Sequence, residues 1–412
     1  MRSNQTIMWS LLFVGICGSP TWAQQSNCNA PLGWWESKGL LPLFTSPTGP
    51  APTTDCDFQV WSWTAFVHWM QNDAMTGQPM FLSLPTPADL KSNSALRIGP
   101  RKLTLQPRTL KRDGIGGEIQ QAGSQGIVVD QLGRVVYYST HMDAIYFPFA
   151  QKYYGPANYK NAANDLDFPL GATVLKTSWR VLDPGTKPPA NALAIPAEIA
   201  QLVNGDQGAE PTQNMIPATA VLVGVHVVGI IKDHPEFAWG TFEHMGNAPN
   251  LPAGMSPKSS SPVSSSDFTF YRANTPAVDC NVLAKVLLAN PPQQTAAPVT
   301  NIFRQDQFGG ASLDRVADIV AVNKNFQTAI AEKQPNVNPV FANYQLIGTA
   351  WQQANTLQPG NGNMSATTIG SPKLANATLE TYVQGTTNCF TCHNTGPGKN
   401  IDLSHILLGA SK

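Results

Sequence analysis

The chain has 412 residues, with 26 Lys plus Arg balanced by 26 Asp plus Glu, so it lacks both net charge and a basic patch of the nucleic-acid-binding kind. Charged residues are only 13% of the total, while Gly and Pro number 33 and 34; long solvated helices are excluded, and a loop-rich, sheet-containing globular body is expected. No nucleophile elbow, phosphate-binding Gly loop or aspartate dyad is present.

Residues 1–23 read as a secretory signal peptide. Arg2 opens a short polar region, Leu11 to Cys17 is apolar, and Thr21-Trp22-Ala23 offers a small-residue cleavage site before Gln24. The apolar run is too short to span a bilayer, and no later segment reaches the roughly 20 apolar residues a membrane helix needs. Export favours oxidised cysteines. Cys28 and Cys56 flank a Gly/Pro-rich stretch and are the preferred disulfide pair; pairings with Cys280, or three buried thiols, stay open.

Residues 24–357 form the expected β-rich body. Asp57 is placed as the cap of a helix near 58–71, where Phe58, Trp61, Ala65, Trp69 and Met70 recur at helical spacing. A hairpin is expected from Ile127–Val129 and Val135–Tyr138 around Asp130 and Gly133, followed by strands at Thr173–Leu182, Ala218–Ile231 and Phe237–Phe242. Phe268–Arg272 is a further strand candidate. A helix is expected at 313–332, capped by Ser312, with Val316, Ile319, Val320 and Phe326 on one face; Tyr344–Trp351 then alternates like a strand. The short connections between strands predict antiparallel neighbours, so the fold class is α+β with a large antiparallel sheet.

Residues 358–412 comprise a Gly/Asn/Thr-rich linker, a short helix capped by Asn376, and the sequence Asn-Cys-Phe-Thr-Cys-His. Cys389, Cys392 and His393 match the attachment motif for one covalent haem c: two thiols add across the porphyrin vinyl groups, and the adjacent histidine supplies an axial nitrogen to the iron. A thioredoxin-like redox pair would want a βαβ setting, and half a zinc site would want further ligands nearby; neither is evident. Only 19 residues follow His393, too few to wrap a porphyrin, so the attachment segment is expected to dock on the preceding body rather than form a separate cytochrome domain.

Several motifs appear in series. These are Phe168-Pro169-x-Gly171, Lys176-x-x-Trp179, Gly224-x-His226, Trp239-x-Thr241-Phe242-Glu243-His244-x-x-Asn247-x-Pro249 and Leu374-Ala375-Asn376-x-x-x-Glu380-Thr381, ahead of the haem motif. From about Asp130 onward the chain resembles a family of exported bacterial proteins labelled "cytochrome c family protein". The resemblance implies covalent haem and a periplasmic address, and brings no established reaction.

His405, twelve residues past His393, is the first candidate for the sixth iron position, since a chain of that length extends to ~40 Å. His244, beside Glu243, is the second; His226 reads as a core histidine. With a second imidazole on the iron, the chain is a periplasmic monohaem cytochrome c that transfers electrons to a periplasmic redox partner protein. With that position open it is a haem enzyme, with Glu243 and His244 as its acid–base pair and Lys176 and Trp179 as the neighbouring wall. A binding module with a redox-reporting haem is the third reading. Adjacent strand residues point to opposite faces, which counts against Glu243 and His244 acting together.

Overall fold

Helix α1 (Asp55–Met70) begins at Thr54, whose hydroxyl accepts from Asp57 N–H while the Asp57 carboxylate accepts from Thr54 N–H at 2.8 Å. The expected cap, Asp57, is therefore the third helical residue, closing a capping box rather than opening the helix. The computed structural model describes residues 26–36, 40–107, 126–183, 185–206, 208–333 and 336–410, so the expected signal peptide lies outside the described residues. Further helices are α2 (Pro87–Lys91), α3 (Tyr146–Tyr153), α4 (Pro156–Asn161), α5 (Leu313–Ala331), α6 (Cys389–Cys392) and α7 (His405–Ala410). None of the described helices is long and apolar enough to cross a membrane.

The strands are β1 (Leu103–Pro107), β2 (Val136–Met142), β3 (Thr173–Leu182), β4 (Ala194–Gly205), β5 (Gly208–Ile231), β6 (His234–His244), β7 (Leu287–Asn290), β8 (Thr295–Ala297), β9 (Tyr344–Gln352) and β10 (Thr368–Gly370). All but β7 and β8 join one sheet in the order β10-β9-β6-β5-β3-β2-β1-β4, and β4 pairs also with β5. The fold is α+β. Every pairing in this sheet is antiparallel except β1 with β4, which departs from the antiparallel expectation. The reason is geometric: β5, β3, β2, β1 and β4 form a closed circuit of pairings, and an odd circuit cannot alternate direction throughout. β6, β9 and β10 extend from β5 to an open edge.

Other expected elements differ in detail. The hairpin pairs only at Val129 and Val135, with β2 continuing to Met142, and Phe268–Arg272 contributes a single bridge between Phe268 and Tyr271. β5 begins ten residues before Ala218, and β4, which the sequence reading passed over, carries Pro196 within it. Cys28 and Cys56 are joined by a disulfide that ties the start of the body to α1; Cys280 is a buried thiol.

Strand alternation sorts the sheet residues onto two faces. Leu175 of β3, Val225 and Val227 of β5 and Phe242 of β6 share the main core with α1, whose Trp61, Trp63 and Phe66 are fully buried. Trp63 lies 4.9 Å from Phe242 and 5.2 Å from Phe326 of α5, which covers α1 from outside. An α-helix buried all round is thus held between a sheet and a second helix. Val320, expected on the inner face of α5, is exposed instead.

Candidate functional site

The opposite face of the same strands carries polar side chains in register. Thr140 of β2 pairs with Lys176 of β3, Lys176 with His226 of β5, and His226 with Thr241 of β6. One step along, Ser178 pairs with Gly224 and Gly224 with Glu243; on the other side Val228 pairs with Trp239. Cross-strand neighbours stand about 5 Å apart, so these residues make a continuous patch.

The C-terminal segment lies on this patch. Glycine is required at position 224 because a Cβ there would stand 2.6 Å from Ser178 Oγ, 2.7 Å from Thr378 Oγ1 and 2.8 Å from Asn376 Oδ1. Asn376 Nδ2 donates to the Phe242 carbonyl at 3.0 Å, and Ala377 N–H donates to Glu243 Oε1 at 2.8 Å. Tyr138 Oη donates to the Thr378 carbonyl at 2.9 Å. The expected short helix after Asn376 is a series of turns, since sheet and side chains take the polar groups that a helix would pair internally. Asn376 N–H and His226 Nε2–H both donate to Glu380, the first at 2.8 Å and the second at 2.9 and 3.1 Å to the two carboxylate oxygens. Thr241 Oγ1, 2.9 Å from His226 Nδ1, completes the fixing of that ring.

Asn388 then caps the single turn α6, accepting from Thr391 N–H at 2.9 Å. One helical turn puts the two thiols three residues apart on the same side, and Phe390 between them points into the core against Trp239, 6.1 Å between rings. His393 Nδ1–H donates to the Leu403 carbonyl at 2.7 Å, leaving Nε2 as the ring nitrogen that can ligate a metal. Leu403 is itself anchored, because Asn400 Nδ2 donates to Asp167 Oδ1 at 2.7 Å and Tyr146 hydrogen-bonds Ser404.

Cys389, Cys392 and His393 line one cavity together with Lys176, His226, Trp239 and Glu380. Burial, reinforced by His405 and Lys176, holds the His393 imidazole well below its usual pKa, so it is neutral as an iron ligand must be. Burial, then the Glu380 carboxylate, pushes the Cys389 thiol up, keeping it protonated. Neither cysteine is in a disulfide. The residues fit a covalent porphyrin: two thiols and a neutral, oriented imidazole converge, and the buried Trp239 Nε1–H on the cavity wall has no protein acceptor. Among the described residues no group of three or more His, Cys, Asp and Glu is arranged to hold a bare metal ion.

The other expected site residues lie elsewhere. His405 stacks face to face on His393, 3.9 Å between ring centres, and its Nε2 is 3.0 Å from the Cys392 carbonyl; it stands beside His393 and is not part of the cavity lining. His244 Nε2 donates to the Asn191 carbonyl at 3.0 Å, and its Nδ1 accepts from Gly246 N–H. Glu243 pairs with Arg304 in the interior, on the sheet face opposite Phe242 and His244. Glu243 and His244 therefore hold structure apart from each other and from the cavity. Trp179 points into the α1 side, donating to Thr177 Oγ1 at 2.8 Å, and only Lys176 of that expected pair reaches the cavity. The sequence names Glu380 only as a motif residue with no role of its own, and His226 reads there as core. For His226 the signal was the spacing of two in Gly224-x-His226 and Trp239-x-Thr241-x-Glu243, which puts those motif residues on one face.

No family model, curated protein or solved structure matches this chain.

Proposed function

We propose that the chain is an exported monohaem cytochrome c, of the kind labelled "cytochrome c family protein", that passes electrons to a periplasmic partner. The observation that carries this reading is the convergence of Cys389, Cys392 and His393 on one cavity, with the His393 ring tied to a backbone carbonyl. Haem held there by two thioethers supplies a one-electron iron couple. The protein's part is positioning. Leu403 fixes the imidazole and raises its basicity through the Nδ1 hydrogen bond, Trp239 packs 4.3 Å from its ring, and Phe390 and Leu403 keep water from the proximal side. The Cys28–Cys56 disulfide suits an oxidising compartment.

The test is an absorption and EPR spectrum of the protein produced with haem-attachment machinery, alongside His405→Ala. The expected result is a c-type spectrum whose ferric spin state is the same in both proteins, because His405 lies beside His393. A low-spin to high-spin change in His405→Ala would move His405 to the sixth iron position, and absence of covalent haem would refute the reading.

A further inference from the structure

The cavity that holds the attachment motif is also lined by a group of residues that electron transfer does not use. Lys176, His226 and Glu380 all line the wall, on three separate chain segments. His226 is buried, yet its ring is not packed as an inert core residue. Nε2–H is directed to both oxygens of Glu380 and Nδ1 meets Thr241. Glu380 is oriented a second time by Asn376 N–H. An ammonium, a carboxylate and an imidazole that orients the carboxylate thus line the same cavity. An orienting group behind a proton acceptor is the arrangement that general acid–base chemistry requires.

We propose that Lys176, Glu380 and His226 form an acid–base face for a small weak acid, HX, whose anion binds iron. This rests on the haem reading above. When HX enters, the H–X bond breaks and Glu380 accepts the proton, with His226 holding the carboxylate in place. X⁻ keeps the bonding electron pair for the iron, and the Lys176 ammonium holds the anion's charge. Nothing is oxidised or reduced in that step. An ionised carboxylate offers about four lone-pair sites, so Glu380 can receive the proton while it remains bonded to His226 and Asn376. Once protonated, Glu380 no longer repels X⁻. Hydrogen peroxide and hydrogen cyanide belong to this ligand class; carbon monoxide, which carries no proton or charge, does not.

The experiment uses the full haem-loaded chain, with cyanide as the probe for the ferric protein and carbon monoxide for the reduced one. Glu380→Gln removes the proton acceptor and should slow cyanide association about 100-fold. Lys176→Met removes the charge-assisted partner and should weaken cyanide affinity about tenfold to hundredfold. Both variants should bind carbon monoxide as the parent does, which a general loss of packing would not allow. Unchanged cyanide association in Glu380→Gln, or a parent ferric protein that refuses cyanide, overturns the proposal. If Glu380→Gln does not fold, unchanged cyanide affinity in Lys176→Met overturns it instead. A protein without covalent haem refutes the reading beneath it, an outcome visible before any ligand is added.

Discussion

The two faces of the central strands are built from the same backbone and obey opposite rules. Toward α1 the strands present Leu175, Val225, Val227 and Phe242, and the contacts are ring on ring, with Phe66 stacked 4.2 Å from Phe242. Toward the C-terminal segment the same strands present Lys176, Gly224, His226, Thr241 and Glu243, and the contacts are hydrogen bonds aimed at residues 376–380. The apolar face is held by dispersion and burial, which tolerate adjustment. The polar face is held by paired donors and acceptors, where leaving one group unpaired costs about 1–3 kcal/mol. Apolar burial therefore dominates one side of the sheet, and directed polar contacts the other.

The largest effect expected from breaking that division is on the α1 side. Trp63 is fully buried and its Nε1–H donates to Asn323 at 2.8 Å, so Trp63→Ala should lower unfolding free energy by about 3–5 kcal/mol. The haem spectrum of the folded protein should stay the same, as read by denaturant unfolding alongside absorption. A changed spectrum at native conditions would mean that the two faces are coupled rather than separate.

This division was partly legible beforehand. β3 was read at its observed bounds, Thr173–Leu182, and α1 and α5 within a few residues, because periodic apolar runs declare themselves locally. The grouping of Cys389, Cys392 and His393 on one cavity was legible because the three lie within five positions. The cavity wall was not, since Lys176, His226 and Glu380 are distant in sequence and meet only through β-strand register and the fold-back of residues 376–384. His405 shows what chain length leaves open: twelve residues allow a wide reach from His393, and the turn at Asn400–Leu403 brings the ring back to stack beside it.

A smaller effect sharpens the comparison from the polar side. Gly224→Ala places a methyl against Ser178, Thr378 and Asn376, all within 2.8 Å of the new carbon. The segment that carries Glu380 must shift, with an expected loss of about 1–3 kcal/mol. Unlike Trp63→Ala, this change should slow cyanide association with the ferric haem, because Glu380 depends on the Asn376 turn for its position. Stopped-flow mixing measures it. Parent-like association with reduced stability would make Gly224 a packing residue only.

The attachment itself is tested most directly by peptide mapping of the exported protein after denaturation. The expected result is one haem retained on the peptide containing Cys389 and Cys392, and lost completely when both are replaced by Ala. Recovery of Cys389 and Cys392 as free thiols, or joined to each other, in protein made with haem-attachment machinery would contradict the account.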